Sequence, residues 1–126
     1  MKKIIFTENA PAPIGPYNQA VLKGNTLYTS GQIAINPATG ELVTANISDE
    51  TKQVMENMKG VLEAADMTFE NVVKSTIFIM NMKDFGTINT VYGSYFDEKT
   101  APARETVQVA ALPKNVNVEI SMIAVL

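Results

Sequence analysis

Between Val116 and Val125, Val118, Ile120, Met122 and Ala124 occupy every second position, with Asn117, Glu119 and Ser121 between them. A period of two sends those sets to opposite faces of a strand. Residues 104–110 alternate as well: Arg104, Thr106 and Gln108 share one face, and Glu105, Val107 and Val109 the other. Ala111 to Asn115 separate the two runs by a connection of hairpin length, so an antiparallel pair is expected. With polar faces matched, Thr106 falls opposite Glu119 and Arg104 lies diagonal to it, at roughly 7–8 Å between backbones. Two chemistries fit that arrangement. Arg104 and Glu119 could form a cross-strand ion pair contributing about 0–1 kcal/mol at a surface. Alternatively, the planar guanidinium holds a substrate carboxylate through two parallel hydrogen bonds while Glu119 moves a proton on the adjacent atom.

Composition narrows the chemistry further. The 126 residues contain no cysteine and no histidine, which leaves no disulfide, thiolate nucleophile, imidazole base or thiolate metal site. Catalysis must rest on carboxylates, hydroxyls, amines, the guanidinium or backbone groups. A chain of this length is expected to form one domain over residues 1–126 with a substantial core. Its net charge of −3 offers no long-range attraction to nucleic acid or anionic membrane. Lys2 and Lys3 are followed by too short an apolar run for a signal peptide, and no stretch is long enough to span a bilayer. A cytoplasmic protein is expected.

Pro11, Pro13 and Pro16 make residues 9–16 an extended, ordered arm that ends at Tyr17. Gly24 and Asn25 join strands over 19–23 and 26–33 in a two-residue hairpin. Ser30 and Gly31 close the second strand, where glycine either marks a bulge or lets a ligand approach the backbone. Asn36 to Gly40 form a turn. Ser48 or Asp49 is placed to cap a helix to about Ala65, with Val54, Met55, Met58, Val61, Leu62 and Ala65 as its apolar stripe. Val72 to Met80 reads as a strand covered on both sides. Asp84 is placed to cap a second helix to about Phe96, with Phe85, Ile88, Val91, Tyr92, Tyr95 and Phe96 inward and Asn89 bordering that stripe.

The run Pro102, Ala103, Arg104, followed by Val107, Ala110 and Leu112 and then by Val118, Glu119 and Ile120, resembles the signature of the RidA family, formerly called YjgF. Ile14 to Tyr17, Thr29 to Gln32, and Phe85, Ile88 and Asn89 extend the similarity in the same order. The resemblance implies a chorismate-mutase-like fold and a homotrimer with pockets between subunits. It also implies hydrolysis of 2-iminopropanoate or 2-iminobutanoate to the 2-oxo acid and ammonia. It places Tyr17 on the pocket rim and Asn89 against ligand across a subunit boundary. Two positions depart from the pattern: Glu105 stands where a small residue is usual, and Thr106 where cysteine is frequent. Glu105 is a second carboxylate that could compete for Arg104.

These readings combine into an α+β fold, a single mixed sheet with two helices on one face. Apolar residues on both sides of the sheet call for a second cover, which another copy of the chain would supply in a closed oligomer. The functional expectation is an imine deaminase that needs neither metal nor organic cofactor. Arg104 would grip the carboxylate of a short 2-imino acid and Glu119 would carry protons, with Tyr17, Ser30, Gly31, Asn89 and Thr106 around the substrate. The alternatives are a non-catalytic sensor of small 2-oxo or amino-acid-derived carboxylates, an RNA-cleaving translation inhibitor, or a purely structural trimer. The negative charge and missing histidine weigh against the RNA reading.

Overall fold

In the computed structural model, which describes residues 1–126, Gly24 has φ of 59° and closes the expected hairpin between β2 (Ala20–Lys23) and β3 (Thr26–Thr29). β1 (Lys2–Ile5) adds antiparallel to β2. The turn at Asn36 also forms: its carbonyl accepts from Gly40 N at 2.8 Å, and Gly40 has φ of 77°. The second strand of the hairpin is shorter than expected, because the chain leaves β3 after Thr29 and meets the sheet again only at a bridge between Gln32 and Ile120.

α1 (Ile47–Ala64) buries the predicted stripe of Val54, Met55, Met58, Val61 and Leu62, with Ala65 just past its end. Full burial of such side chains stabilises the fold by about 1.5–3 kcal/mol each. Its cap is Asn46 rather than Ser48 or Asp49. Asn46 is extended (φ −151°, ψ 160°), so its Oδ1 folds back to accept from Asp49 N at 2.8 Å.

β4 (Val72–Ile79) supplies the next strand, and α2 (Phe85–Gly93) follows it. α2 stops three residues before the predicted Phe96, and the Asp84 side chain makes no capping bond. Asn81 instead caps the single 3₁₀ turn that precedes the helix, accepting from Lys83 N at 2.9 Å. Phe96 still packs inward, its ring 4.8 Å from that of Tyr92.

β5 (Ala103–Gln108) and β6 (Val118–Val125) complete one six-stranded sheet of order β1-β2-β3-β6-β4-β5. The expected hairpin between β5 and β6 does not form, because β4 lies between them, parallel to β5 and antiparallel to β6. β4 is apolar and continuous enough to use both edges, and pairing it twice satisfies two ladders of backbone groups where a β5–β6 hairpin would satisfy one. The five-residue connection therefore steps across the end of β4. Lys114 and Asn115 turn it with φ of 55° and 56°.

Both helices cover one face of this mixed sheet. There Val118, Ile120, Met122 and Ala124 of β6 meet Ile77 and Ile79 of β4 and the stripes of the helices in one core. On the other face Tyr28, Val73 and Val107 stay exposed and Phe78 is half-buried. No helix is long and apolar enough to cross a membrane.

Candidate functional site

The predicted site residues form two clusters, on opposite faces of the sheet. Tyr17, Ser30, Gly31 and Glu119 line one cavity of about 380 Å³, walled also by the proline arm at Pro11 and Ile14 and by Pro113 of the crossing connection. The alternation of β6 turns Glu119 away from the helices, opposite Phe78 of β4. Its carboxylate lies directly on the backbone of Gly31. A Cβ at that position would sit 2.7 Å from Glu119 Cδ and 2.9 Å from its Cγ, so the absence of a side chain is what admits the acid there. Partial burial pushes the Glu119 carboxyl above the usual carboxylate range. No cation lines this cavity.

Several features hold the rim of the cavity. Buried Gln19 donates through Nε2 to the carbonyls of Thr7, Ala10 and Pro11 and accepts from Thr7 N at 2.8 Å, tying the proline arm to the sheet. Tyr17 stays 48 % exposed beside the cavity. The Ser30 hydroxyl donates locally to Asn18 O at 2.6 Å, and the residue lines the cavity.

Arg104, Asn89 and Thr106 form the second cluster. Arg104 is level with Ser75 of β4, and Thr106 with Ile77, both on the helix-covered side. The Arg104 guanidinium lies 5.5 Å from the Phe85 ring centroid and 5.2 Å from that of Tyr92. Its Nη1 donates to Asn89 Oδ1 at 2.6 Å. Tyr92 is fixed in turn, its hydroxyl donating to buried Ser75 Oγ at 2.9 Å, and burial raises its phenol pKa. Held on α2 in this way, the fork keeps its remaining N–H groups for a ligand, a geometry suited to a planar carboxylate. The Thr106 hydroxyl is buried without a hydrogen-bond partner.

The expected diagonal between Arg104 and Glu119 is therefore overturned, as is the pairing of Thr106 with Glu119. Within one chain the two side chains leave opposite faces of strands two apart in the sheet, at about 10 Å between backbones. Nor does Glu105 compete for Arg104. It projects from the other face of β5, where Lys74 Nζ bonds its Oε1 at 3.1 Å in the chain's only ion pair. The reading from sequence did not include the cavity walls at Pro11, Gln32, Ile33, Ile35 and Pro113. These residues come from irregular segments with no periodicity to signal a shared surface.

The Endoribonuclease L-PSP family model matches residues 7–126. A RutC family protein of Pyrococcus horikoshii is 52 % identical over 98 % of this chain and 98 % of its own length. The Escherichia coli protein named 2-iminobutanoate/2-iminopropanoate deaminase is 49 % identical over 99 % of this chain and 98 % of its own. Among solved structures, that of E. coli TdcF with bound serine superposes with a TM-score of 0.93 at 47 % identity, covering 98 % of both chains. With that match in sequence and in fold, the chain belongs to the RidA family, the group described by the Endoribonuclease L-PSP model.

Proposed function

We propose that this protein is a deaminase that hydrolyses short 2-imino acids, such as 2-iminopropanoate and 2-iminobutanoate, to the 2-oxo acid and ammonia, in pockets completed by a second copy of the chain. One observation carries the proposal. A half-buried carboxylate of raised pKa faces a cavity without a cation, while a guanidinium without a carboxylate partner is held ready on the reverse face. Each half lacks what the other offers. A heterologous contact, in which two different surfaces of the same chain meet and close into a ring, would unite Arg104 of one copy with Glu119 of the next. The exposed apolar residues Tyr28, Val73 and Val107 are surface for such a contact to cover. A homotrimer, as the family resemblance implies, is the proposed ring.

In the proposed reaction Arg104 binds the substrate carboxylate, steadied by Asn89 and the two aromatic rings. The imine carbon is then presented to a water beside Glu119. Glu119 takes a proton from that water as its oxygen bonds to carbon and passes it to the imine nitrogen, which leaves the carbinolamine and a regenerated carboxylate. The carbinolamine collapses when the hydroxyl proton passes through Glu119 to nitrogen, the C–N bond breaks, and ammonia leaves. Backbone groups near Gly31 and Thr106 orient the nitrogen. A raised pKa makes the ionised Glu119 a stronger base than an ordinary carboxylate. The names of the deaminase relatives support this reading.

The test is complementation. R104K and E119Q oligomers should each be inactive towards freshly generated 2-iminobutanoate. Mixed and reassembled, they should recover roughly one quarter of the parent activity, the fraction of randomly assembled sites that combine two intact contributions. Absence of any recovery in verified mixed oligomers would remove the shared pocket. Ammonia release measured beside equilibrium binding of a 2-oxo acid on one sample separates the enzyme from a sensor, which would bind without turnover.

A further inference from the structure

After Thr29 the chain departs from β6 and returns only at Gln32, whose N donates to Ile120 O at 2.8 Å and whose O accepts from Ile120 N at 3.2 Å. This departure makes room for Gly31 and the cavity. Past Gln32 the chain turns away from β6 again: Ala34 O, which would face Val118 in a continued β3, accepts from Val43 N at 2.8 Å instead, so the N–H of Val118 has no backbone acceptor on that side. An acid from α1 fills the gap. Glu50, in the first turn of the helix and fully buried, accepts through Oε2 from Asn117 N at 2.7 Å and from Val118 N at 3.2 Å. Its Oε1 accepts from Asn117 Nδ2 at 2.7 Å. On the opposite edge Asn117 O accepts from Met80 N at 3.0 Å. Glu119 is thus the residue between two fixed points, the Glu50 hold at Val118 and the Gln32 bridge at Ile120.

We infer that Glu50 is a positioning residue whose carboxylate replaces the missing stretch of β3 and fixes the start of β6, so that Glu119 is aimed at Gly31 and the cavity. The inference rests on the proton-transfer role proposed for Glu119. An acid in the first turn of a helix is ordinarily solvated, where the helix dipole already favours it. Full burial is an expensive state for a carboxylate, and here all three of its hydrogen bonds converge on the two residues preceding Glu119. With the Ala34 carbonyl already taken by Val43 N, the acceptor for Val118 comes from a different layer of the fold.

The test compares E50D, E50Q and N117A in the intact oligomer, with kcat and KM per folded site and the pH dependence of kcat. In E50Q the new amide oxygen can keep both backbone N–H groups, and the Asn117 amide can turn over to accept from the new N–H, so kcat should stay within about twofold of the parent. In E50D the carboxylate falls one methylene short. There kcat should drop about ten- to a hundredfold with KM within about twofold, and the acid limb should move down as Glu119 becomes better hydrated. Tyr17 is the only other titratable side chain lining the cavity, and the neighbour from β4 is Phe78; in the proposed assembly Arg104 of a second copy also faces Glu119. N117A loses only the side-chain donor, so kcat should fall a few-fold with the limb moving the same way, and this variant decides the matter should E50D not fold. A parental kcat and acid limb in folded E50D, or in N117A if E50D does not fold, would overturn the inference. E119Q run alongside separates the two claims: if it is inactive while the Glu50 variants are unaffected, only the positioning role fails, whereas an active E119Q sinks the proposed function itself.

Discussion

The carboxylate of Glu119 rests against the backbone of Gly31, close enough that a methyl group there would meet Glu119 Cδ at 2.7 Å. The contact joins β6 to the irregular segment after β3, and it sets where the acid can act. The atoms that would have to move belong to the far end of a flexible side chain, so relief is local.

In G31A, Glu119 should therefore swing off its present position while the fold survives. We expect kcat to fall about 10²-fold, the scale on which a positioned acid or base contributes, with unfolding free energy within about 1 kcal/mol of the parent. Steady-state kinetics with 2-iminobutanoate and urea denaturation of the same sample check both halves. A G31A variant with full kcat would show that the close contact has no catalytic meaning.

Arg104 makes a different demand, since its planar fork is stacked beside two rings and tied to Asn89. R104K replaces the fork with a point charge that cannot bind a carboxylate in two parallel bonds. Its kcat/KM should fall by about 10²-fold or more. N89A keeps the fork but frees it to rotate, and should raise KM a few-fold while kcat changes little. Unchanged KM in N89A would separate Asn89 from substrate binding.

The pH behaviour of Glu119 follows from its burial, which raises the folded-state pKa above the unfolded value. As a base it must be ionised, so kcat/KM should fall on acidification through a pKa above the ordinary carboxylate range. Stability has the opposite sense. The contribution of a group with raised pKa is fully present below its unfolded pKa and lost as pH rises through the folded one. At neutral pH, E119Q should then melt at a higher temperature than the parent, and the difference should disappear once the pH lies below the ordinary carboxylate range. Thermal melts across that interval are the measurement, and equal Tm values at neutral pH would contradict the desolvation account.

Tyr92 serves the core through its hydroxyl and Arg104 through its ring. Y92F leaves buried Ser75 Oγ without this partner, which should cost about 1–2 kcal/mol of stability, with KM unchanged. Y92L removes the ring and should raise KM a few-fold, in line with the modest worth of a cation–π contact. Denaturant unfolding and kinetics on both variants separate the two roles, and identical KM values in both would rule out a binding contribution from the ring.

Patterns that depend on near neighbours were legible in the sequence. Val118, Ile120, Met122 and Ala124 face the core, the α1 stripe is buried from Val54 to Leu62, and Gly24 turns the first hairpin, because period and turn chemistry are properties of adjacent residues. Candidate site residues could be named from the sequence, Arg104 and Glu119 from alternation and Tyr17 and Asn89 through the family resemblance, but how the fold groups them was not legible. A period of two says that Arg104 and Thr106 share a face, but both faces of that edge strand carry polar residues, so nothing local says which one meets the helices.

Partner choice between strands was likewise beyond local reach, since a five-residue connection suits a hairpin and a step across β4 equally well. The tertiary structure decided it, because β4 can pair on both edges and the backbone groups of both neighbours are then satisfied. The same decision sent Arg104 and Glu119 to opposite faces, while the end of pairing past Gln32 on the other edge left the start of β6 to Glu50 from α1. Alternation along a strand is set by neighbours in sequence, whereas the acceptor that a backbone N–H finds, and the space a glycine leaves open, depend on what the whole fold brings beside them.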